Sequence, residues 1–176
     1  MDRDEFLEAW RSALSLSVPY LPEMRMEKFL DQVSSQRNAA VLIVFALEAS
    51  GEWSLLLTQR SETVSQHKGE VSFPGGRLET EKETWIDAAL REAEEEVRLI
   101  PDQIQVLGEM PPLSTVSSFT RVVPVLGIMK KEGLPVLVPE RKEVAHTLWL
   151  PWKEVLQQYS KKMILKEVGE LSLIHI

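Results

Sequence analysis

The chain has 176 residues, of which 44% are apolar and 27% charged, as in an ordinary globular domain. Twenty basic against 27 acidic residues give a formal net charge of −7, which argues against nucleic acid as the partner. With no cysteine in the sequence, a disulfide framework, a thiolate metal site and a cysteine nucleophile are excluded. The longest apolar run, residues 39–47, is too short to span a membrane. We therefore expect a cytoplasmic protein with no membrane or nucleic-acid partner.

The first predicted elements are helical and are followed by a strand pair. Apolar residues at helical spacing predict a helix from Asp4 to about Leu16, and "PEMRMEKFLDQV" predicts a second helical piece. Residues 39–47 have the composition of a buried strand, and "WSLLLTQR" follows a turn signal and is expected to pair with it antiparallel. We expect residues 1–36 to form a helical cover over the sheet.

The second half alternates strands with helices. A polar loop, "SETVSQHKGEVSFPGG", is too long to be only a connection. After it we expect, in order, a helix from about Thr84 to Val97, strands near Gln105–Glu109 and at "RVVPVLGIM", a hairpin-like "KKEGLP", a strand "HTLWLP" and a helix "WKEVLQQY". This mixture predicts one α/β domain over residues 1–176 with a mixed β-sheet. The tail "EVGELSLIHI" indicates a truncated or foreign terminus.

The predicted helix at 84–97 crowds glutamates into its last turns, where carboxylates oppose the helix dipole. Its buried side is apolar: Ile86, Ala89, Leu90, Ala93 and Val97. A turn of about 100° per residue places Glu92, Glu95 and Glu96 opposite that stripe, so we expect three carboxylates to converge. A solvated acidic face is the alternative. The "FPGG" loop upstream, which can bring backbone carbonyls beside them, favours a site for Mg²⁺ or Mn²⁺.

The segment "GGRLETEKETWIDAALREAEEEVRL" resembles the Nudix box of Nudix hydrolases, G-x5-E-x7-R-E-U-x-E-E-x-G-U, in which U is apolar. The residues that match the box are Glu83, Arg91, Glu92, Ala93, Glu95, Glu96 and Leu99. Gly76 lies one residue earlier than the usual spacing, as is typical of the coenzyme A pyrophosphatase branch. Arg98 replaces the box glycine, where left-handed geometry would cost a non-glycine residue of order 1 kcal/mol.

The upstream segment "LLTQRSETVSQHKGEVSFPGG" resembles a second motif of that branch, L-L-T-x-R-[SA]-x3-R-x3-G-x3-F-P-G-G. The spacing is kept throughout, and only Ser65 departs, because it stands where the motif has arginine. The resemblance implies a Nudix-like α/β/α sandwich around a mixed β-sheet, and hydrolysis of coenzyme A to 3',5'-ADP and 4'-phosphopantetheine. The substrate-binding residues that we expect are Arg60, Ser61, His67, Lys68, Gly69, Phe73 and Gly75.

Pyrophosphate chemistry explains why metal ligands are needed, since bound cations would neutralise the substrate and polarise the attacking water. We expect Glu92 and Glu96, one helical turn apart, to bind Mg²⁺ or Mn²⁺, with Glu95 as a third ligand and the Gly76 carbonyl completing the shell. Arg91 is expected to orient a glutamate. The general base is Glu92, Glu95 or Glu143; for Glu143, in a charged loop, a plain surface role is the alternative.

Three functions stay open on the sequence. The first is hydrolysis of coenzyme A or acyl-CoA. The second is hydrolysis of another nucleoside diphosphate derivative such as ADP-ribose, which Ser65 makes credible because it removes a positive charge that the motif supplies. The third is a non-catalytic nucleotide-binding Nudix module, against which the retained box arginine and glutamates argue.

Overall fold

The computed structural model describes residues 1–16, 37–63, 68–115 and 120–157. The elements in chain order are α1 (Arg3–Leu16), β1 (Arg37–Leu47), β2 (Trp53–Arg60), β3 (Val71–Ser72), β4 (Gly75–Arg77), α2 (Trp85–Val97), β5 (Ile104–Glu109), β6 (Leu113–Thr115), β7 (Thr120–Met129) and β8 (Val144–Pro151). Residues 152–157 are helical, as predicted. The predicted helical piece at 22–33 lies outside the described ranges. None of the helices within those ranges is long and apolar enough to cross a membrane.

Strand β1 is the centre of the sheet. One of its edges pairs with β7 in parallel, and its other edge is shared by two antiparallel neighbours. The end of β1, Phe45–Leu47, pairs with β2, whereas Ala39–Val41 pairs with β4. The pair of glycines in "FPGG" therefore lies inside the sheet, next to its central strand. The mixed sheet expected from the sequence is confirmed.

The two faces of β1 pack against different helices. Four alternate residues of β1 pack with α2 in one core cluster: Ala40, Leu42, Val44 and Ala46. Phe45 and Leu47, on the other face, pack with Phe6 and Leu7 of α1. A strand buried on both faces has no polar alternation, which is why residues 39–47 appear in the sequence as one apolar run. Helices on both faces confirm the α/β/α sandwich, and α1 is the described part of the expected N-terminal cover.

Both ends of α2 are capped. Thr84 precedes the helix in an extended conformation, and its side-chain oxygen accepts a hydrogen bond from the Asp87 N–H. At the other end Arg98 is left-handed, with φ 59° and ψ 32°, and the backbone there donates to the carbonyls of Ala93 and Glu94. The expected left-handed geometry at the position of the box glycine is thus confirmed, and an arginine adopts it.

We expect Arg98→Gly to raise the free energy of unfolding by about 0.5–1 kcal/mol, because glycine adopts this conformation without the steric cost that a Cβ imposes. Denaturation in urea without metal measures the change. Arg98→Ala is the matched control, since it removes the charge and keeps the Cβ. Equal effects of the two substitutions would show that backbone strain at residue 98 is not the cause.

The segment after β7 differs from the prediction. Residues 130–133 turn as expected, but β7 and β8 do not form a hairpin, because β8 pairs with β2. The intervening extended segment, residues 134–140, crosses the C-terminal end of α2. There the Val138 N–H donates to the Val97 carbonyl at 3.0 Å, and the Glu140 N–H donates to the Glu96 carbonyl at 2.8 Å. This segment therefore satisfies helix-end carbonyls that a simple hairpin would leave open.

Candidate active site

Glu96 is a buried carboxylate on α2, with only 3% of its surface exposed. The Gly75 N–H donates to its Oε2 at 3.3 Å. Burial raises the pKa of Glu96 to about 7; the Gly75 hydrogen bond and the charge of Arg60 oppose the rise, and the charges of Glu92 and Glu143 add to it. A cation bound nearby would favour the ionised form of this carboxylate.

Glu92 lies one turn before Glu96, against the second glycine of β4. A Cβ built on Gly76 would overlap the Glu92 carboxylate, so the present position of this carboxylate depends on glycine at residue 76. Burial also raises the pKa of Glu92, while the hydrogen bond from Arg91 acts in the opposite direction. Two partly desolvated carboxylates therefore face the glycine strand together.

Arg91 connects the acidic side chains of this region. Its Nε donates to Glu83 at 2.8 Å, and its Nη1 donates to Glu92 at 2.9 Å and to Glu95 at 3.1 Å. Its Nη2 donates to the Arg77 carbonyl at 2.9 Å. The hydrogen bond from Arg91 holds the pKa of Glu83 below its usual range. All three nitrogens of this guanidinium are thus used within the protein, a geometry that fits the predicted orienting role, which stays a prediction.

Glu95, the third carboxylate expected at the site, lies at its exposed rim, and its part in metal binding stays a prediction. The Glu95 side chain is 56% exposed, and its described partner is Arg91. Within the described ranges, no group of three or more His, Cys, Asp or Glu side chains is arranged to hold a metal ion. Helix geometry gives the reason: Glu96 is turned about 40° from Glu92 in one direction and Glu95 about 60° in the other. Only Glu92 and Glu96 lie against the glycine strand.

Arg60 supplies positive charge near this pair. It lies at the end of β2, where the pairing with β8 shifts register between Gln59 and Arg60. Its Nε is buried and has no hydrogen-bond partner among the described residues. Its charge acts on Glu96, whose pKa it lowers. A buried donor beside a carboxylate pair is chemically suited to an anionic group that binds there.

Three other residues that were expected to bind substrate, Lys68, Gly69 and Phe73, have different surroundings in the structure. Lys68 is exposed, and Gly69 is left-handed with φ 69° and donates its N–H to the Arg60 carbonyl at 3.2 Å. Phe73 packs into the cluster on the α1 side of the sheet, across from the carboxylates, so its expected contact with substrate is not supported. The spacing of a loop residue does not determine which face it takes. His67 and Ser65 lie outside the described residues.

Ser61, which was also expected to bind substrate, is buried and forms its hydrogen bonds within the protein. Only 6% of its surface is exposed, and its hydroxyl lies 2.8 Å from that of Thr63. Its N–H donates to the Glu143 carbonyl at 2.8 Å. Its burial and these hydrogen bonds indicate that Ser61 stabilises the loop after β2.

Glu143 lies in the turn that precedes β8 and is exposed. Its negative charge contributes to raising the pKa of both Glu92 and Glu96. Its charge therefore acts on both carboxylates of the pair. The surface alternative and the general-base prediction both remain open on this geometry.

Sequence reasoning missed several groups that build the site, and most of them are backbone atoms. The Arg77 carbonyl binds Arg91, and the N–H groups of Val138 and Glu140 cap α2. Residue types carry no signal for such contacts, because any residue supplies them. Thr63 was also missed, although a hydroxyl two residues after Ser61 is typical of a serine or threonine turn.

The residues fit a hard divalent cation. The donors are all oxygens, both carboxylates are partly desolvated although Arg91 bonds to Glu92, and glycine at residue 76 lets the Glu92 carboxylate lie close to β4. Mg²⁺ is commonly bound through one or two protein carboxylates, with substrate phosphates and water supplying the other ligands. Glu92 and Glu96 could therefore hold Mg²⁺ or Mn²⁺ without a third carboxylate.

Comparison with known proteins agrees with this fold. The family model described as NUDIX domain matches residues 36–168. An uncharacterised Nudix hydrolase, NudL, of Pectobacterium atrosepticum is 39% identical over 132 residues, which are 75% of this chain and 66% of the relative. The chain thus spans just under two thirds of that relative's length. It belongs to the Nudix hydrolase family.

Solved structures show the same fold at low sequence identity. A Nudix hydrolase from M. smegmatis, RenU, aligns with a TM-score of 0.57 at 19% identity, covering 79% of this chain and 91% of that chain. The NUDIX domain of NrtR from Shewanella oneidensis, solved with ADP ribose, aligns with a TM-score of 0.50 at 21% identity, covering 89% of this chain and 88% of that chain. At this identity the likeness concerns the fold alone.

Proposed function

We propose that this protein hydrolyses the pyrophosphate bond of coenzyme A or acyl-CoA, giving 3',5'-ADP and 4'-phosphopantetheine or its acyl form, with Mg²⁺ or Mn²⁺ as cofactor. The observation that carries the proposal is the desolvated pair of Glu92 and Glu96 set against the glycine strand. The choice of coenzyme A as the substrate is supported by the resemblance of "LLTQRSETVSQHKGEVSFPGG" to the motif of the coenzyme A pyrophosphatase branch.

Glu92 and Glu96 hold the cation in this proposal, with the Gly76 carbonyl beside them and Glu95 at the exposed rim. The bound ion would neutralise the pyrophosphate and lower the pKa of a water molecule. Coordination also offsets the free-energy cost of burying two carboxylates one turn apart. Arg91 keeps Glu92 and Glu95 in fixed orientations through its hydrogen bonds.

Arg60 is the phosphate contact, because its buried Nε lacks a partner within the described part of the chain. Lys68, which is exposed, adds positive charge. The space beside Gly69 and Gly75 is filled by Glu62 and by the backbone of β1 respectively, so any contact of these two glycines with substrate would be made by their own backbone atoms. These groups bind a substrate whose charge the protein as a whole, at −7, would repel.

Glu143 is the general base of choice. Glu92 is already held by Arg91, whereas Glu143 is exposed and its charge reaches the pair. The carboxylate of Glu143 takes a proton from the attacking water as the water oxygen bonds to one phosphorus. The bond from that phosphorus to the bridging oxygen then breaks, and the bridging oxygen leaves on the other phosphate.

A second candidate is hydrolysis of ADP-ribose, the ligand in the NrtR structure. Ser65 favours it, because the coenzyme A motif has an arginine at that position, and the 3'-phosphate of coenzyme A would lose a partner.

Turnover of coenzyme A and of ADP-ribose, each with Mg²⁺ or Mn²⁺, tests the proposal when products are identified by mass. We expect 3',5'-ADP and 4'-phosphopantetheine from coenzyme A, with a kcat/KM above that for ADP-ribose. A higher kcat/KM for ADP-ribose would move the assignment to the second candidate. No hydrolysis of either nucleotide would favour a module that only binds nucleotides.

A further inference from the structure

Two hydroxyls connect the loop after β2 to the turn that carries Glu143. Thr63 Oγ1 donates to the Lys142 carbonyl at 3.0 Å, so its own hydrogen is used. Ser61 must therefore donate across the 2.8 Å separation between the two hydroxyls, and it accepts the Thr63 N–H at 3.3 Å. The hydrogen bonds thus run in one direction, from the loop into the backbone of the turn.

The same turn is fixed to the helix that bears the carboxylate pair. The Glu140 N–H donates to the Glu96 carbonyl at 2.8 Å, and the Glu143 N–H donates back to the Glu140 carbonyl at 2.9 Å. On its other side the Glu143 carbonyl accepts the Ser61 N–H at 2.8 Å. The turn 140–143 therefore spans the gap between the end of α2 and the end of β2.

The direction of the Glu143 side chain depends on this backbone. The described hydrogen bonds of Glu143 all involve its main chain, and its side chain is exposed. From the loop after β2, the Thr63 side chain contacts the turn 140–143. It does so through its hydrogen bond to the carbonyl of Lys142, the residue before Glu143. The Lys142 carbonyl and the Glu143 N–H belong to one peptide unit, which Thr63 and the Glu140 carbonyl therefore hold from two sides. Without the Thr63 hydroxyl this unit keeps only the hydrogen bond to Glu140, so it can tilt and move the carboxylate that follows it.

We propose that Thr63 is a positioning residue, which holds the turn 140–143 through the Lys142 carbonyl so that the Glu143 carboxylate faces Glu92 and Glu96. The inference rests on the proposed use of Glu143 as general base. It also gives Ser61 a defined part, as the donor that orients the Thr63 hydroxyl.

Four variants test this inference: Thr63→Val, Thr63→Ser, Glu143→Gln and the Thr63→Val/Glu143→Gln double variant. We expect Thr63→Val to lower kcat about 10-fold with KM within about 2-fold, because a misplaced base slows the chemical step and leaves substrate binding intact. Thr63→Ser, which keeps the hydroxyl, should restore kcat. In the Glu143→Gln background, Thr63→Val should have no further effect.

Ser61→Ala and Ser50→Ala form a matched pair. Ser50 accepts the Glu52 N–H at 3.4 Å in the turn between β1 and β2, much as Ser61 accepts the Thr63 N–H. We expect Ser61→Ala to lower kcat and Ser50→Ala to leave it unchanged. Equal losses in the two variants would mean that loop stability, and not the placement of Glu143, controls the rate.

Hydrogen exchange of the Ser61 amide, which donates to Glu143, provides a readout that needs no turnover. We expect this amide to exchange about 10-fold faster in Thr63→Val than in Thr63→Ser. Unchanged exchange, or a kcat loss that adds to that of Glu143→Gln, would overturn the positioning role. If Glu143→Gln kept the normal kcat while coenzyme A was still hydrolysed, the base assignment and this inference would fail and the proposed function would stand.

Discussion

Glu96→Gln is expected to make the metal-free protein more stable and the metal-loaded protein at least about 10²-fold slower, the latter by analogy with removal of one electrostatic stabiliser. Burial raises the pKa of Glu96 from 4.5 to about 7. Between these values the unfolded chain loses its proton while the folded protein keeps it, so this group lowers stability as pH rises through the window. Above pH 7 the whole penalty applies, roughly 3 kcal/mol, and a neutral glutamine removes it.

Urea unfolding in the presence of a chelator, at pH 5 and at pH 8, measures this effect. The stability gain of Glu96→Gln should be small at pH 5 and largest at pH 8. Glu94→Gln is the control, because Glu94 is exposed on the same helix, and we expect it to change neither stability nor rate. Near-normal turnover by Glu96→Gln, or a loss of metal-free stability at pH 8, would contradict the assignment of Glu96.

Gly76→Ala should lower the rate by about 10²-fold or more with a change in stability below about 1 kcal/mol. The new methyl group overlaps the Glu92 carboxylate, the mobile end of a side chain, so the carboxylate moves and the backbone does not. The dihedral angles of Gly76 are open to other residues, since it is not among the positive-φ positions. Steady-state kinetics at saturating Mn²⁺ and urea unfolding separate the two effects.

Gly51→Ala provides the reverse pattern. Gly51 has φ 80° in the turn between β1 and β2, and a Cβ there meets no atom within 4 Å. It should lose about 1 kcal/mol of stability from backbone strain and keep its rate. If Gly76→Ala lost stability instead of rate, Gly76 would be a packing residue and the space beside Glu92 would have no functional meaning.

Periodicity predicted the long elements of this fold and failed on the short ones. The strands β1, β2 and β7 and the helices α1 and α2 each contain enough residues for a repeat of two or 3.6 to appear. β3, β4 and β6 have two or three residues, so no period can be detected in them, and each takes its place by pairing with a longer strand: β3 with β2, β4 with β1 and β6 with β7.

The candidate site was predictable to the extent that helix geometry fixes it. The spacing of Glu92 and Glu96 placed them together, and the Nudix box added the role of Arg91. Glu95 is turned about 60° from Glu92, in the direction away from Glu96, and its bond to Arg91 and its exposure were not predictable from the spacing. The face of the sheet on which Phe73 packs was not predictable, since a loop has no fixed alternation.

Calorimetric titration of Mn²⁺ and Mg²⁺ into the protein, with and without nucleotide, tests most directly whether Glu92 and Glu96 form a cation site. We predict saturable binding at pH 8 that weakens at pH 6, where a proton competes for the carboxylate whose pKa is about 7, and that is lost in Glu96→Gln. If neither ion bound saturably under any of these conditions, the metal site would be contradicted. Glu92 and Glu96 would then be buried carboxylates with no part in cation binding.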